Sequence, residues 1–192
     1  MRALVYLVNA TLDGYIAGPK GEIDFFPLPE DLLAALVAEY PETIPTHLRA
    51  QVGAADAPNR RFDTVVMGRG TYQPALDVGV TSPYAHLRQH VVSTTLPDVD
   101  APEVEVVRDD PLGLVRRLKQ EDGLDIWLCG GGTLAGAVLS EIDRLVVKRS
   151  PVLAGDGVPM IAGGFSPASF ALRDTRTFSN GTTMSTFERV SA

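Results

Sequence analysis

Leu124 to Leu139 reads LDIWLCGGGTLAGAVL, an apolar run broken by three consecutive glycines and followed by small and aliphatic residues at helical spacing. The pattern is strand, glycine turn, helix. Ile126, Trp127, Leu128 and Cys129 suit a strand buried on both faces, because β-branched and aromatic side chains pack well on a pleated surface. Gly130, Gly131 and Gly132 end the strand with a backbone that adopts conformations closed to other residues and that a ligand can approach. Thr133 stands where it can cap the helix, whose first N–H groups lack intrahelical acceptors and whose N-terminal end carries partial positive charge. Such an end binds phosphate. Taken alone, the glycines fit a phosphate site and a tight turn with close helix packing equally well.

Two familiar phosphate motifs are excluded. A P-loop ends in Gly-Lys-Ser/Thr, whereas Gly132 is followed by Thr133 and Leu134 with no lysine to reach a terminal phosphate. Gly130, Gly132 and Gly136 imitate a dinucleotide fingerprint only loosely. The stretch lies late in the chain, with no further βαβ units and no suitably placed acid, so a standard Rossmann domain is not expected.

The chain has 192 residues, 45% hydrophobic and 21% charged, which predicts one globular domain over 1–192 with an ample core. Its net charge of −7 and the absence of a Lys/Arg run argue against nucleic acid or an anionic membrane as partner, since clustered cations hold both. Cys129 is the single cysteine, and the chain opens directly on an apolar strand pattern, so a reducing cytoplasm is expected. No apolar run approaches the length of a membrane span. The three histidines lack a ligand cluster around them, and no metal site is expected.

Ala3 to Val8 reads as a central strand. Asn9 to Gly21 is a loop with a turn at Asp13-Gly14, in which the apolar Tyr15 and Ile16 suggest a pocket wall. Pro27 to Tyr40 is a helix, with Pro29 at its first position, Glu30 and Asp31 in its first turn, and Leu32, Leu33, Leu36 and Val37 on one face. Prolines bound a further helix around His47 to Ala55. Thr64 to Met67 is a strand, and Gly68, Arg69, Gly70, Thr71 and Tyr72 open a second helix after a glycine junction, adding a cation. His90 to Thr94 is a strand ending in the hydroxyls of Ser93 and Thr94. Val104 to Val107 is another, and Pro111 to Gln120 an amphipathic helix. Leu145 to Val147 and Pro151 to Leu153 are strand-like, and Ala154 to Pro159 is a loop. Phe170 to Phe178 and Thr182 to Val190 form a hairpin around Ser179-Asn180-Gly181. Strands interleaved with helices, followed by a hairpin, indicate an α/β sandwich around a mixed, mostly parallel sheet.

In order, TLDGYIAG, VMGRGTYQ, VVST, CGGGTLAGAVL and PVLAGDGVP resemble the dihydrofolate reductase superfamily. Within it they are most similar to the reductase domain of riboflavin-biosynthesis deaminase-reductases (the RibD C-terminal domain) and its stand-alone relatives. The resemblance implies a dihydrofolate reductase-like three-layer sandwich binding NADPH across the carboxyl ends of the sheet strands. It matches Gly130, Gly131, Gly132 and Thr133 to the pyrophosphate loop, and Gly68, Arg69 and Thr71 to the loop that holds the adenosine phosphate. Ser93 and Thr94 match the strand end beside the adenine ribose, and Ala10, Ile16 and Ala17 the segments flanking the nicotinamide. A guanidinium at Arg69 would favour NADPH over NADH, because it can bond the 2′-phosphate bidentately.

Hydride chemistry belongs to the cofactor, and the protein must orient it, exclude water and supply a proton. The resemblance gives Asp31, in LPEDL, as the acid matching the folate-reductase carboxylate, and Asp13, in TLDG, as a second catalytic candidate. Each also has a structural explanation, Asp31 as a helix-start acid and Asp13 as a turn former. The implied activity is reduction of 5-amino-6-(5-phosphoribosylamino)uracil in riboflavin biosynthesis. Two alternatives are dihydrofolate reductase-like reduction of a pterin and non-catalytic nucleotide binding. A ribosyl phosphate calls for cations, for which Arg49, Arg60 and Arg61 are candidates. A pteridine calls for one carboxylate in an apolar pocket. The stretch Glu39 to Arg61 is expected to close the substrate side, and a homodimer is implied by resemblance alone.

Overall fold

The chain is described by a computed structural model that covers residues 1–190. Its centre is the pair of apolar runs. The first forms β1 (Leu4–Ala10), buried throughout except at Asn9. After it come β2 (Tyr15–Ala17), α1 (Glu30–Glu39), β3 (Phe62–Gly68), α2 (Arg69–Asp77), β4 (Arg88–Val92), β5 (Val104–Val107), α3 (Pro111–Gln120), β6 (Asp125–Gly130) and α4 (Gly132–Ala137). The chain then runs through β7 (Ile142–Arg149), the two-residue β8 (Val158–Pro159), β9 (Phe170–Thr177) and β10 (Thr183–Arg189).

Eight strands form one sheet in the order β5-β4-β3-β6-β1-β7-β10-β9. Every pairing from β5 to β7 is parallel, and β10 runs antiparallel to both its neighbours. Side chains alternate across the pleat. Val5, Leu7, Val65, Met67 and Trp127 point to a cluster covered by Leu32 and Leu36 of α1 and Tyr72 of α2. Leu4, Tyr6, Val66, Ile126 and Leu128 point to the opposite cluster, covered by Leu114 and Leu118 of α3, Leu134 of α4 and Val138 just after it. Both faces are buried, so the strands read as continuous apolar runs rather than alternating ones. The result is the expected three-layer α/β sandwich with a terminal antiparallel hairpin.

Several local expectations are corrected. Pro151 to Leu153 is irregular chain, because β7 already ends at Arg149 and Pro151 has no N–H to give to a ladder. Pro29 caps α1 instead of opening it. The segment around His47 winds as a 3-10 helix over Thr46–Val52 and stops at Gly53, whose φ is 71°. Ser93 and Thr94 lie just beyond the end of β4. The cap of α4 is Gly131, not Thr133, which sits inside the first turn. At six residues, α4 is too short to build the macrodipole on which the helix-end argument rested.

The glycines divide by task. Gly130 and Gly131 carry φ values of 131° and 22°, and a Cβ on either would meet nothing closer than 3.8 Å. Gly132 and Gly136 serve packing instead: a Cβ there would lie 2.1 Å from the Pro159 carbonyl oxygen and 1.9 Å from that of Ala162. Segment 158–162 thus lies directly on α4, fixed by Ala162 N–H to the Gly132 carbonyl at 2.9 Å and by Tyr6 Oη to the Met160 carbonyl at 2.8 Å. Among the described residues, no helix is long and apolar enough to cross a membrane.

Candidate active site

Open α/β sheets bind ligands beyond the carboxyl ends of their strands, and here that end holds a cleft of about 640 Å³. Its floor is the end of the sheet: Leu7 to Asn9 of β1, Trp127 and Cys129 of β6, Lys148 of β7, and Ser150. Leu32 and Leu36 of α1 form one wall. Ile16, Ala17 and Val158, brought together by the antiparallel β2–β8 pair, form another. Gly70, Thr71 and Gly131 stand at the glycine junctions of β3 and β6. Thr43, Ile44, Pro45 and His47 close the far side, so the stretch from Glu39 to Arg61 does border the cleft.

That closing segment is folded around a buried acid. Glu42 is fully enclosed and its carboxylate accepts backbone N–H bonds from Arg61 at 2.6 Å, Phe62 at 2.8 Å and Arg60 at 3.3 Å. The arginines there serve structure. Arg49 is buried and donates to the carbonyls of Pro41 and Ala57, Arg60 donates to the Ala38 carbonyl, and Arg61 lies over the Tyr40 ring. None of the three lines the cleft.

Of the residues singled out in the sequence, Ile16, Ala17, Thr71 and Gly131 line the cleft. Thr71 Oγ1 also accepts the Gly131 N–H at 3.1 Å, tying the two glycine junctions together. Gly68 packs over the Gly130 carbonyl. Arg69 is exposed and donates to Thr95 Oγ1, which joins the start of α2 to the turn after β4. In that turn Thr94 is exposed and Ser93 Oγ accepts the N–H of Leu96 at 3.0 Å. Thr133 is exposed on α4, and Ala10 is buried under the Ser150 N–H. Gly130, Gly131, Arg69 and Thr71 are therefore neighbours through the adjacent β3 and β6.

The two candidate acids do not enter the cleft. Asp31 accepts the N–H and hydroxyl of Ser179, at 2.8 and 3.0 Å, and so fastens α1 to the hairpin turn. Those bonds lower its pKa, the Ser179 N–H first. Asp13 accepts Thr11 Oγ1 at 2.5 Å, Gly155 N–H at 2.7 Å and Ala154 N–H at 3.1 Å. With the Thr11 hydroxyl contributing most, its pKa falls to about 2. A group held that firmly as a carboxylate is a poor proton donor near neutral pH.

The cleft contains no Asp or Glu among its described lining residues. Its cation is Lys148, which the sequence reading passed over. Lys148 is half-buried and faces Asn9 directly across the β1–β7 ladder, and its ammonium enters no salt bridge or hydrogen bond among the described residues. Desolvation pushes its pKa down to about 8. Burial also pushes the nearby Cys129 thiol up to about 12, which leaves it a neutral, inert sulfur. Its signal in the sequence is the alternation in RLVVKRS: Lys148 shares the face of the buried Val146, at the carboxyl end of the strand.

The RibD C-terminal domain model matches residues 2–184. The chain belongs to the RibD C-terminal domain family. This family member is 25% identical to the Bacillus subtilis (strain 168) proteins YwjB, over 92% of each chain, and YyaP, over 94% of this chain and 91% of the other; both are named as uncharacterized. A protein ascribed to riboflavin biosynthesis in Shewanella sp. PV-4 superposes with a TM-score of 0.74 at 25% identity, over 98% of this chain and 99% of that one. The Thermotoga maritima deaminase/5-amino-6-(5-phosphoribosylamino)uracil reductase gives 0.65 at 16% identity, over 98% of this chain and 57% of that one. Dihydrofolate reductase from Enterococcus faecalis, solved with NADP(H), gives 0.64 at 15% identity over 97% and 96%. The last two likenesses are of fold: this RibD C-terminal domain has the dihydrofolate reductase architecture and a reductase-like family background.

Proposed function

We propose that this chain is an NADPH-dependent oxidoreductase delivering hydride to a C=O or C=N bond of a small heterocyclic substrate. The observation that carries the reading is the cleft itself. It lies at the carboxyl ends of β1, β6 and β7, is bordered by Gly131 and Thr71, and belongs to a chain of a reductase-like family. The residues fit a dinucleotide. Space above Gly130 and Gly131 is open to an approaching phosphate, and Arg69 offers an exposed guanidinium one strand away.

In this reading Gly130, Gly131, Thr71 and Thr133 hold the pyrophosphate, Arg69 the 2′-phosphate, and Ser93 and Thr94 the ribose edge. Ala10, Ile16 and Ala17 flank the nicotinamide, which supplies a hydride when bound. The apolar walls exclude water, so a developing charge in the cleft is felt strongly by the few polar groups there. A homodimer is part of the same proposal.

Calorimetric titration with NADPH and with NADH tests this reading. NADPH should bind more tightly, and Arg69→Ala should weaken NADPH by about tenfold, the worth of one charge-assisted hydrogen bond, while leaving NADH unchanged. Absence of binding by either nucleotide would end the proposal.

A further inference from the structure

Building on the oxidoreductase reading, we infer that the substrate is an uncharged, largely apolar carbonyl compound whose reducible C=O is gripped by Lys148 and Asn9, with Lys148 supplying the proton. The two substrates suggested by the family each make a demand that this cleft leaves unmet. A phosphoribosyl group needs clustered cations, and Arg49, Arg60 and Arg61 are committed elsewhere. A pterin needs a carboxylate, and none of the described residues lining the cleft supplies one.

What the cleft does offer is Asn9 and Lys148 side by side among largely apolar neighbours, with Ser150 beyond them and Thr43, His47 and Thr71 elsewhere on its lining. Asn9 and Lys148 are register partners on adjacent parallel strands, so their side chains leave the same face of the sheet side by side. Neither has a side-chain partner among the described residues, and both line the cleft. Around them stand Leu7, Leu32, Leu36 and Trp127. Two convergent donors on an apolar floor fit one carbonyl oxygen on a flat apolar body.

The chemistry balances. The carbonyl carbon takes a hydride, and with it two electrons, from the dihydronicotinamide, which is oxidised. The C=O π bond opens and the oxygen takes a proton from Lys148 Nζ. The product is an alcohol, and the neutral amine regains its proton from water. Desolvation puts the Lys148 pKa near 8, protonated at neutral pH yet a ready donor. The groups facing it are few. Asn9 of β1, Met184 of β10 and the leucines of α1 do not titrate, and Cys129 and Tyr84 are both pushed upward by burial. His47 remains, and His47→Gln accounts for it.

Isatin, a neutral planar heterocycle bearing a ketone, is a suitable probe. Its binding to the free protein is read by quenching of Trp127, the chain's single tryptophan and part of the cleft floor. Turnover is read by NADPH oxidation, with dihydrofolate and the phosphoribosylaminouracil run in parallel. Isatin should quench saturably, bind about tenfold more weakly to Lys148→Met, and be reduced in preference to the other two. Lys148→Met should lower kcat by about 100-fold with the NADPH affinity unchanged. In the wild type kcat should fall as pH rises through about 8. That limb should persist in His47→Gln and vanish in Lys148→Arg, which keeps the charge and guards against misfolding. If NADPH binds but isatin is neither bound nor reduced, the substrate inference is wrong while the oxidoreductase reading stands. Preference for either charged substrate would overturn it too, as would a Lys148→Met defect confined to NADPH affinity. If NADPH itself does not bind, both fall together.

Discussion

Lys148 shows how a residue can be costly to the fold and useful in a site. Its pKa of about 8 lies below the ordinary lysine value of 10.5. Between those two pH values the unfolded chain holds a proton that the folded chain has shed, so stability rises with pH across that window and is lowest below it. Lys148→Met should therefore raise Tm at pH 7, and the gain should narrow as pH approaches 10.5; thermal melts at the two pH values check this. Asp13 runs the other way. Its pKa is lowered to about 2, so its contribution is present above the ordinary value of 3.8 and lost as pH falls through about 2. Asp13→Ala should lower Tm at pH 7 and differ little from the wild type near pH 2. Asp13 and Asp31 drew attention in the sequence because a carboxylate in a motif looks the same whether it binds a proton or a backbone N–H. Only the position of residues 154–155 and 179, more than a hundred residues downstream, tells the two apart.

At the scale of elements, the apolar runs were legible because burial on both faces leaves no polar alternation to misread, and α3 begins and ends where its pattern does. The segment from Pro41 to Arg61 was not legible, since its order comes from Glu42 reaching three backbone N–H groups at the start of β3. Nothing local in PETIPTHLRA announces that contact. Glu42→Gln would replace one of the two accepting oxygens with an NH2 group, leaving part of those N–H donors without an acceptor, and should cost about 2 kcal/mol in urea unfolding. It should also loosen the wall formed by Thr43, Ile44 and Pro45. The glycine-rich stretch serves two tasks that its sequence alone does not separate. Gly130 and Gly131 keep the open backbone expected of a binding loop, whereas Gly132 and Gly136 are there because segment 158–162 lies against them. Gly136→Ala places a methyl group 1.9 Å from a backbone oxygen. It should destabilise the protein by overpacking, by about 1 to 3 kcal/mol, measured by the same unfolding experiment.

Over the whole molecule, the sheet order puts β6, β1 and β7 side by side, so residues 129, 9 and 148 converge although the sequence scatters them. Parallel strands bring all their carboxyl ends to one edge, which is why the fold class alone already located the cleft. An oxidoreductase of this architecture must hold its nicotinamide in that cleft, above Trp127. The direct measurement is energy transfer from Trp127 to bound NADPH during a fluorescence titration. Saturable quenching of Trp127 with matching growth of nicotinamide emission is the predicted result. Binding of NADPH that leaves Trp127 emission unchanged, or no binding at all, would contradict it.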